Sequence, residues 1–375
     1  MNISRTKKNW LTLIVAMIIL VTLTHYYFAL GLQLHLEIIR TLYFIPVVLA
    51  AIIFGLSGGL LTSLTITLLY LPYALLVQET LSLRVEQYLG VLELNLLGLI
   101  VGRVIDQRNR AEVRMLEASA LERELQVARK VQQSLLPKRI EIAPGYDIGA
   151  FIAYARTVGG DYYDVFPLGE DVMALSIADV SGKGMPAALL VALTKYTIRG
   201  SAVARVMPEE VFRAVNDVIL SATTPSMFVS AIYSILFPLE GRLVYANSGH
   251  ELPLLWKAAS GNVYRTPAAG GIVLGVTRDI SPIKQELYLA PGDVLLMFTD
   301  GAIEARNHAG EIYGNKRLYA SLAANAHLPA QMIVEAIKDE LFSFSGGKLY
   351  DDMTLLALKR SGEESITSGP ESSAR

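Results

Sequence analysis

Apolar residues are crowded into the first hundred positions of this chain so densely that this stretch has to be buried in lipid or in a large core. Residues 10–30 hold no Asp, Glu, Lys or Arg, with His25 the borderline case, and match the ~20 residues that a membrane-spanning helix needs. Three further apolar runs follow at 42–56, 58–77 and 88–104, the last interrupted by Glu93 and Asn95. A signal peptide would have a shorter core and a small-residue cleavage site, and neither is seen. Arg5, Lys7 and Lys8 precede the first run, while Arg103, Arg108, Arg110 and Arg114 follow the last. By the positive-inside rule both ends are cytoplasmic, which requires an even number of spans, and four fits. Residues 1–103 are thus expected to form a multi-pass membrane domain of four helices. Glu93 and Asn95 have two readings: an intramembrane ligand or signalling site, or polar groups facing the interior of a bundle.

Residues 104–135 are rich in Arg, Glu, Gln, Ala and Leu, contain no Gly or Pro, and stop at Pro137. That pattern predicts one long connecting helix ended by proline. Leu121, Leu125, Ala128, Gln132 and Leu135 alternate spacings of four and three, which makes a short coiled-coil seam and a homodimer one reading. A single helix packed on the following domain is the other.

The formal net charge is only −2, so no overall field argues for nucleic acid as a partner. The absence of cysteine removes disulfides, thiolate catalysis and cysteine zinc sites together. Five histidines supply a zinc site poorly, whereas aspartate oxygens suit magnesium or manganese.

Past Pro137, strand patterns are expected at 146–154, 161–167, 172–179, 228–237, 243–247, 283–289, 294–299 and 353–358. Helices are expected at 185–203, 208–221 and 329–344. Tight turns between paired strands, as at Leu239-Glu240-Gly241, favour an antiparallel α+β sandwich over a parallel doubly wound sheet. The Ser- and Glu-rich tail from Ser361 reads as disordered.

Four aspartates stand beside these strands: Asp161 in Val-Gly-Gly-Asp-Tyr-Tyr-Asp, Asp179 in Ala-Asp-Val-Ser-Gly-Lys-Gly, Asp300 in Phe-Thr-Asp-Gly and Asp351 in Tyr-Asp-Asp-Met-Thr. Carboxylates gathered at one point repel one another unless a cation lies between them. Any one of them alone is more often a turn or helix-cap residue. Together with Met-Phe-Val-Ser-Ala, Asn-Ser-Gly-His-Glu-Leu-Pro and the lead-in Ala-Arg-Lys-Val-Gln-Gln-Ser-Leu-Leu-Pro, the motifs resemble, in order and spacing, the bacterial PPM-type metal-dependent serine/threonine phosphatases of the SpoIIE and RsbU type. The resemblance covers roughly residues 121 to 360 and leaves out the membrane half. The Gly-Gly-Asp of diguanylate cyclases is a lookalike only, because Tyr-Tyr-Asp follows here.

The resemblance implies an α-β-β-α sandwich over residues 138–360, with two divalent cations, Mn²⁺ or Mg²⁺, hydrolysing phosphoserine or phosphothreonine on a protein. It implies as metal ligands Asp161, Asp179 with the carbonyl of Val180, Asp300 and Asp351, with Asp179 in the bridging position. Adjacent strand residues point to opposite faces, so only one of Asp351 and Asp352 can be a ligand by its side chain, and Asp351 matches the family. Asp179 and Asp300, with Arg156 as the phosphate-binding cation, form the expected catalytic set; a surface salt bridge is the other reading of Arg156. Lys183 stands where relatives often carry His. His250 reads as a turn residue and Glu304 as one that orients a loop. Glycines 159, 160, 182, 184 and 301 are expected to allow tight turns and close backbone approach.

By the same resemblance, the substrate is a phosphorylated anti-anti-sigma-like protein; the apolar runs and the positive-inside rule set the expected location, the bacterial cytoplasmic membrane with the catalytic domain in the cytoplasm. The alternative is a catalytically weak module that binds phosphoprotein. A transporter or receptor is disfavoured by the small, short-looped membrane half.

Overall fold

The computed structural model describes residues 3–362 apart from 32–35, 77–80, 138–139, 141–142, 205–206, 224–226 and 269. The expected disordered tail therefore lies, beyond residue 362, outside the described residues. The chain divides into two compact units, Met1–Leu121 and Glu122–Arg375.

The first unit is helical: α1 (Ile3–Gly31), α2 (Leu36–Leu42), α3 (Phe44–Leu76) and the start of α4 (Leu81–Leu135). Among the described residues three helices, not the expected four, are long and apolar enough to cross a membrane: Thr6–Phe28, Ile39–Ala74 and Val85–Leu135. The difference arises at Gly55. The runs expected at 42–56 and 58–77 fall in the single stretch α3, which breaks at Gly55 with φ 68° and ψ −148°. A Cβ placed on Gly58 would lie 2.4 Å from the carbonyl oxygen of Ala50, eight residues back, whereas a straight helix separates such residues by ~12 Å. The chain therefore folds back on itself within α3. Its first limb, residues 44–54, is only ~16 Å long.

Asp106 explains the break. Its Oδ2 accepts the Leu56 backbone N–H at 3.3 Å, capping the second limb, and a Cβ on Gly55 would collide with that carboxylate. Glycine also sets the spacing against α4: a Cβ on Gly59 would lie 2.3 Å from the Gly98 carbonyl oxygen, and one on Gly102 would lie 2.6 Å from the Leu56 Cα. Such close approach of small residues is how helices associate where lipid gives no hydrophobic drive. Ile14, Val47, Ala50, Ile66 and Leu94 fill the interior.

In the second unit two five-stranded antiparallel sheets stack. One has the order β1-β10-β9-β6-β7 and the other β2-β3-β4-β5-β8. Their strands are β1 (Tyr146–Ala153), β2 (Asp161–Gly169), β3 (Val172–Val180), β4 (Val229–Phe237), β5 (Arg242–Ser248), β6 (Leu254–Lys257), β7 (Asn262–Arg265), β8 (Lys284–Tyr288), β9 (Val294–Phe298) and β10 (Met353–Arg360). Alternation along each strand sends Leu175, Ile177, Leu295, Met297 and Leu356 into the core between the sheets. The opposite faces are covered by α5 (Met185–Ala204) and α6 (Pro208–Ala222) on one side, and by α8 (Gly314–Asn325) and α9 (Ala330–Ser345) on the other. The result is the α-β-β-α sandwich implied by the resemblance. The eight strands expected are present within a few residues, and so are the three helices. Strands β6 and β7, the short α7 (Asp300–Ile303) and α8 were not expected.

The face of α4 carrying Leu125, Ala128, Gln132 and Leu135 is buried or half-buried, whereas Leu121 is exposed. Gln132 is 3% exposed and bonded within the second unit. Of the two readings of the connector, the buried face fits the helix packed on the following domain. The seam positions from 125 onward are thereby occupied in the monomer.

Candidate metal centre

The antiparallel order of the strands brings four motif ends to one end of the sandwich. Asp161 opens β2 and is the registered partner of Asp179 near the end of β3. Asp300 follows β9, and Asp351 precedes its neighbour β10 in the other sheet. Two hydroxyls tie the sheets together here. Thr299 Oγ1 and Thr354 Oγ1 each donate to Asp161 Oδ2 at 2.7 Å, and Thr299 Oγ1 also accepts the Thr354 N–H at 2.9 Å.

Electrostatics register the crowding. Burial pushes the Asp179 carboxyl up to about 7, with the nearby charges of Asp300, Asp351 and Asp352 adding to it. Asp300 is pushed up to about 6, by burial first and then by Glu304 and Asp351. Asp161, 1% exposed, is held well above the usual carboxylate range by burial and by Asp179. Each of these acids resists ionisation first because it is buried, and then because at least one neighbouring carboxylate adds to the cost.

Among the described residues, no three acidic or histidine groups converge closely enough to hold an ion as they stand. Asp351 is turned to Lys183, whose Nζ lies 3.2 Å from Oδ2, and one oxygen of Asp161 is taken up by the two threonines. The donor chemistry nevertheless fits a hard divalent cation. The donors are oxygens, and the raised carboxyls are groups that a positive charge would relieve. Lys183 already places a positive charge on Asp351.

Asp352 is engaged elsewhere. Its Oδ1 accepts the Ala155 N–H at 2.8 Å and its Oδ2 the Gly160 N–H at 2.7 Å, so both oxygens hold the loop before β2. That loop is tight. A Cβ on Gly159 would meet the Tyr154 ring at 2.1 Å and Asp352 Oδ2 at 2.2 Å, and one on Gly160 would lie 2.4 Å from the Val180 carbonyl oxygen. Gly301 is similarly confined, its missing Cβ falling 1.9 Å from the Asp352 carbonyl oxygen. Gly182 and Gly184 adopt φ of 96° and 82°, which favours glycine for a different reason.

Arg156 is exposed in the bend after β1 and makes no ion pair among the described residues. His250 closes a turn with Asn247, whose side chain bonds both its N–H at 2.8 Å and its carbonyl at 2.9 Å. Its Nδ1 lies 2.8 Å from Ser230 Oγ, and burial pushes its imidazole down to about 4. It is therefore neutral at physiological pH. Glu304 is near enough to Asp300 to raise its carboxyl.

Three contributors were not singled out from the sequence. Thr299 and Thr354 sit inside recognised motifs, but the motifs draw attention to their aspartates. Gln132 was read as a seam position. In the structure its Nε2 donates to the Gly159 carbonyl at 2.7 Å, and its Oε1 accepts the Gly159 N–H at 3.1 Å. The end of the connecting helix thereby holds the loop that carries Gly160 and Asp161. Beside it, Asp164 pairs with Lys195 at 3.0 Å and with Arg199 at 2.5 Å, and Lys195 also donates to the Leu135 carbonyl.

Comparison with known proteins agrees with this architecture. The family Stage II sporulation protein E (SpoIIE) matches residues 169–361, just over half of the 375. The phosphoserine phosphatase RsbU of Bacillus subtilis (strain 168) is 31% identical over 237 residues, covering 63% of this chain and 70% of that protein. Among solved structures, the SiaA-PP2C domain of Pseudomonas aeruginosa is similar, with a TM-score of 0.57 and 22% identity, covering 65% of this chain and 98% of that one. The RsbU and RsbW domains of Rv1364c from Mycobacterium tuberculosis give a TM-score of 0.51 at 25% identity, covering 60% of this chain and 62% of that one. With its motifs, sandwich and family match in agreement, the chain belongs to the SpoIIE family and carries a PP2C-type phosphatase domain.

Proposed function

We propose that this protein is a membrane-tethered, metal-dependent serine/threonine phosphatase that acts on a phosphorylated regulatory protein. The observation that carries the chemistry is the gathering of Asp161, Asp179, Asp300 and Asp351 at one end of two sheets that Thr299 and Thr354 lock together. Asp179, the Val180 carbonyl, Asp300, Asp351 and the Asp161 oxygen that the threonines leave would hold a pair of Mn²⁺ or Mg²⁺ ions. When bound, such a pair supplies a water acidified from ~15.7 towards neutrality as the attacking group.

The chain's own residues do the rest. Thr299 and Thr354 orient Asp161 by donating to one of its oxygens, so the other points away from them. Asp352 and Gln132 both fix the Gly159-Gly160 loop, Gln132 at Gly159 and Asp352 at Gly160. Arg156, exposed and in no ion pair among the described residues, would meet the substrate phosphate as a bidentate donor. Lys183 has to release Asp351 when the ions enter. No side-chain nucleophile is needed, which suits a chain without cysteine.

The substrate class, phosphoserine or phosphothreonine on an anti-anti-sigma-like protein, rests on the resemblance to RsbU. The tether rests on the apolar helices of the first unit, with the positive-inside rule putting the catalytic domain in the cytoplasm. A homodimer through the connecting helix would have to use its outer residues, Val113, Leu116, Val127 and Val131, which are 53%, 64%, 62% and 57% exposed. The test is manganese-dependent release of phosphate from a phosphoserine protein by the full-length chain in detergent. Folded protein that binds the metal and the phosphoprotein without turnover would instead make it a binding module.

A further inference from the structure

The first unit contains a cavity of about 110 Å³ whose wall includes Arg40, Tyr43, Thr67, Tyr70 and Glu93. Ionisable groups inside apolar helices are costly and mark function by default, and here two of opposite sign share one cavity. They do not neutralise each other. Among the described residues no carboxylate lies within 4.0 Å of the Arg40 guanidinium, whose hydrogen bond is to the Glu86 carbonyl at 3.3 Å. Glu93 likewise has no cation within that distance.

The surroundings keep this arrangement open. A Cβ on Gly90 would lie 3.2 Å from Arg40 Cζ, so glycine there gives the guanidinium its room. Thr67 is held by Asn95, whose Nδ2 donates to its hydroxyl at 2.9 Å while Ser63 donates to Asn95 Oδ1 at 3.0 Å. Behind the tyrosine wall stands His25, 1% exposed, with no hydrogen-bond partner on either ring nitrogen. Its ring lies 5.3 Å from that of Tyr70 and 6.1 Å from that of Tyr43. The polar lining is thus built by side chains from three helices.

Depth follows from the helix rise. Gly90 and Asp106 lie on one continuous helix, ~24 Å apart at 1.5 Å per residue. Asp106 belongs to the end of the spans flanked by Arg103, Arg108, Arg110 and Arg114, which the positive-inside rule makes cytoplasmic. The cavity therefore lies in the opposite half of the membrane, towards the outer face. It is smaller than the ~300 Å³ and upward of sites for drug-sized molecules.

We propose that this cavity binds a small zwitterion, with a phosphate or carboxylate held by Arg40 and an ammonium group held by Glu93. A free solute such as an amino acid and the headgroup of phosphatidylethanolamine share that chemistry. Tyr43 and Tyr70 would face the ammonium with their rings, an arrangement that favours cations.

The test uses the full-length protein in nanodiscs of phosphatidylglycerol alone, following thermal unfolding while O-phosphoethanolamine, inorganic phosphate or ethanolamine is added. A parallel sample carries phosphatidylethanolamine in the disc. The expected result is a saturable rise in the unfolding midpoint with O-phosphoethanolamine, with phosphatidylethanolamine, or with both, and the pattern tells solute from lipid. Arg40→Gln should weaken the effect by ~10-fold or more, as loss of a charge-assisted bond implies, and Glu93→Gln should weaken response to O-phosphoethanolamine towards that of phosphate. Arg40→Lys serves as a second variant should Arg40→Gln not fold. No rise with either zwitterion, an equal rise in the Arg40 variants, or an equal rise with phosphate alone would overturn the proposal.

Discussion

Asp161 and Asp179 face each other as registered partners on β2 and β3: burial and then the Asp179 charge hold the Asp161 carboxyl up, while burial and then Asp300, Asp351 and Asp352 raise Asp179 against a hydrogen bond with Asp161 that lowers it. Two buried acids held side by side are unfavourable for a folded protein by itself. They make sense as half of a cation site whose other half, Asp300 and Asp351, comes from the second sheet.

Metal affinity should therefore depend on pH. Ligands must lose their protons to bind, and Asp179 and Asp300 stand at about 7 and about 6 without metal. Manganese binding followed by calorimetry should strengthen as pH rises from 5 to 8. An affinity flat across that range would contradict it.

The sign reverses for metal-free stability. Both groups are raised above their unfolded values, so the folded state holds more protons between about pH 4 and 7 and loses stability as pH rises through that window. A carboxyl made even tenfold harder to ionise contributes about 1.4 kcal/mol, or about 3–5 °C in a domain of this size. Thermal scans with chelator should give a lower midpoint at pH 8 than at pH 5, and added Mn²⁺ should remove the difference.

Thr299→Val and Thr354→Val each remove a hydroxyl from Asp161 while keeping shape. Loss of such a supporting bond typically costs 10- to 100-fold (order of magnitude) in metal affinity or activity. The half-saturating Mn²⁺ concentration should rise accordingly in either variant.

Gln132→Ala should release the Gly159 loop and raise the metal requirement by a similar ~10-fold or more, whereas Val131→Ala on the exposed side of the same helix should leave it unchanged. Equal behaviour of the two variants would show that the connector only tethers.

Lys183→Met frees Asp351. Both partners are about half exposed, at 46% and 48%, and such pairs are worth ~0–1 kcal/mol, so the metal requirement should fall by no more than about fivefold.

Much of this architecture could be read from the sequence because it rests on local patterns. Strands β2, β3 and β4 announce themselves by apolar runs between glycine-rich turns, and α9 by its amphipathic period. Strands β6 and β7 are four residues each, too short to show alternation, and α8 begins with Gly-Asn-Lys-Arg, which carries no apolar period. The expected apolar runs already part at residue 57, beside the break at Gly55, but the cap that makes the break could not be read, because Asp106 lies fifty residues from Leu56. Gln132 illustrates the same limit. Its spacing is that of a seam, and only the fold reveals that Gly159 is its partner.

Phosphate release from a phosphoserine protein by the full-length chain, with and without Mn²⁺, tests the central claim most directly. Turnover that requires the metal and is lost in Asp179→Ala, with the variant still folded, is the result expected. Turnover that persists in chelator or in Asp179→Ala would contradict a metal centre built on these aspartates.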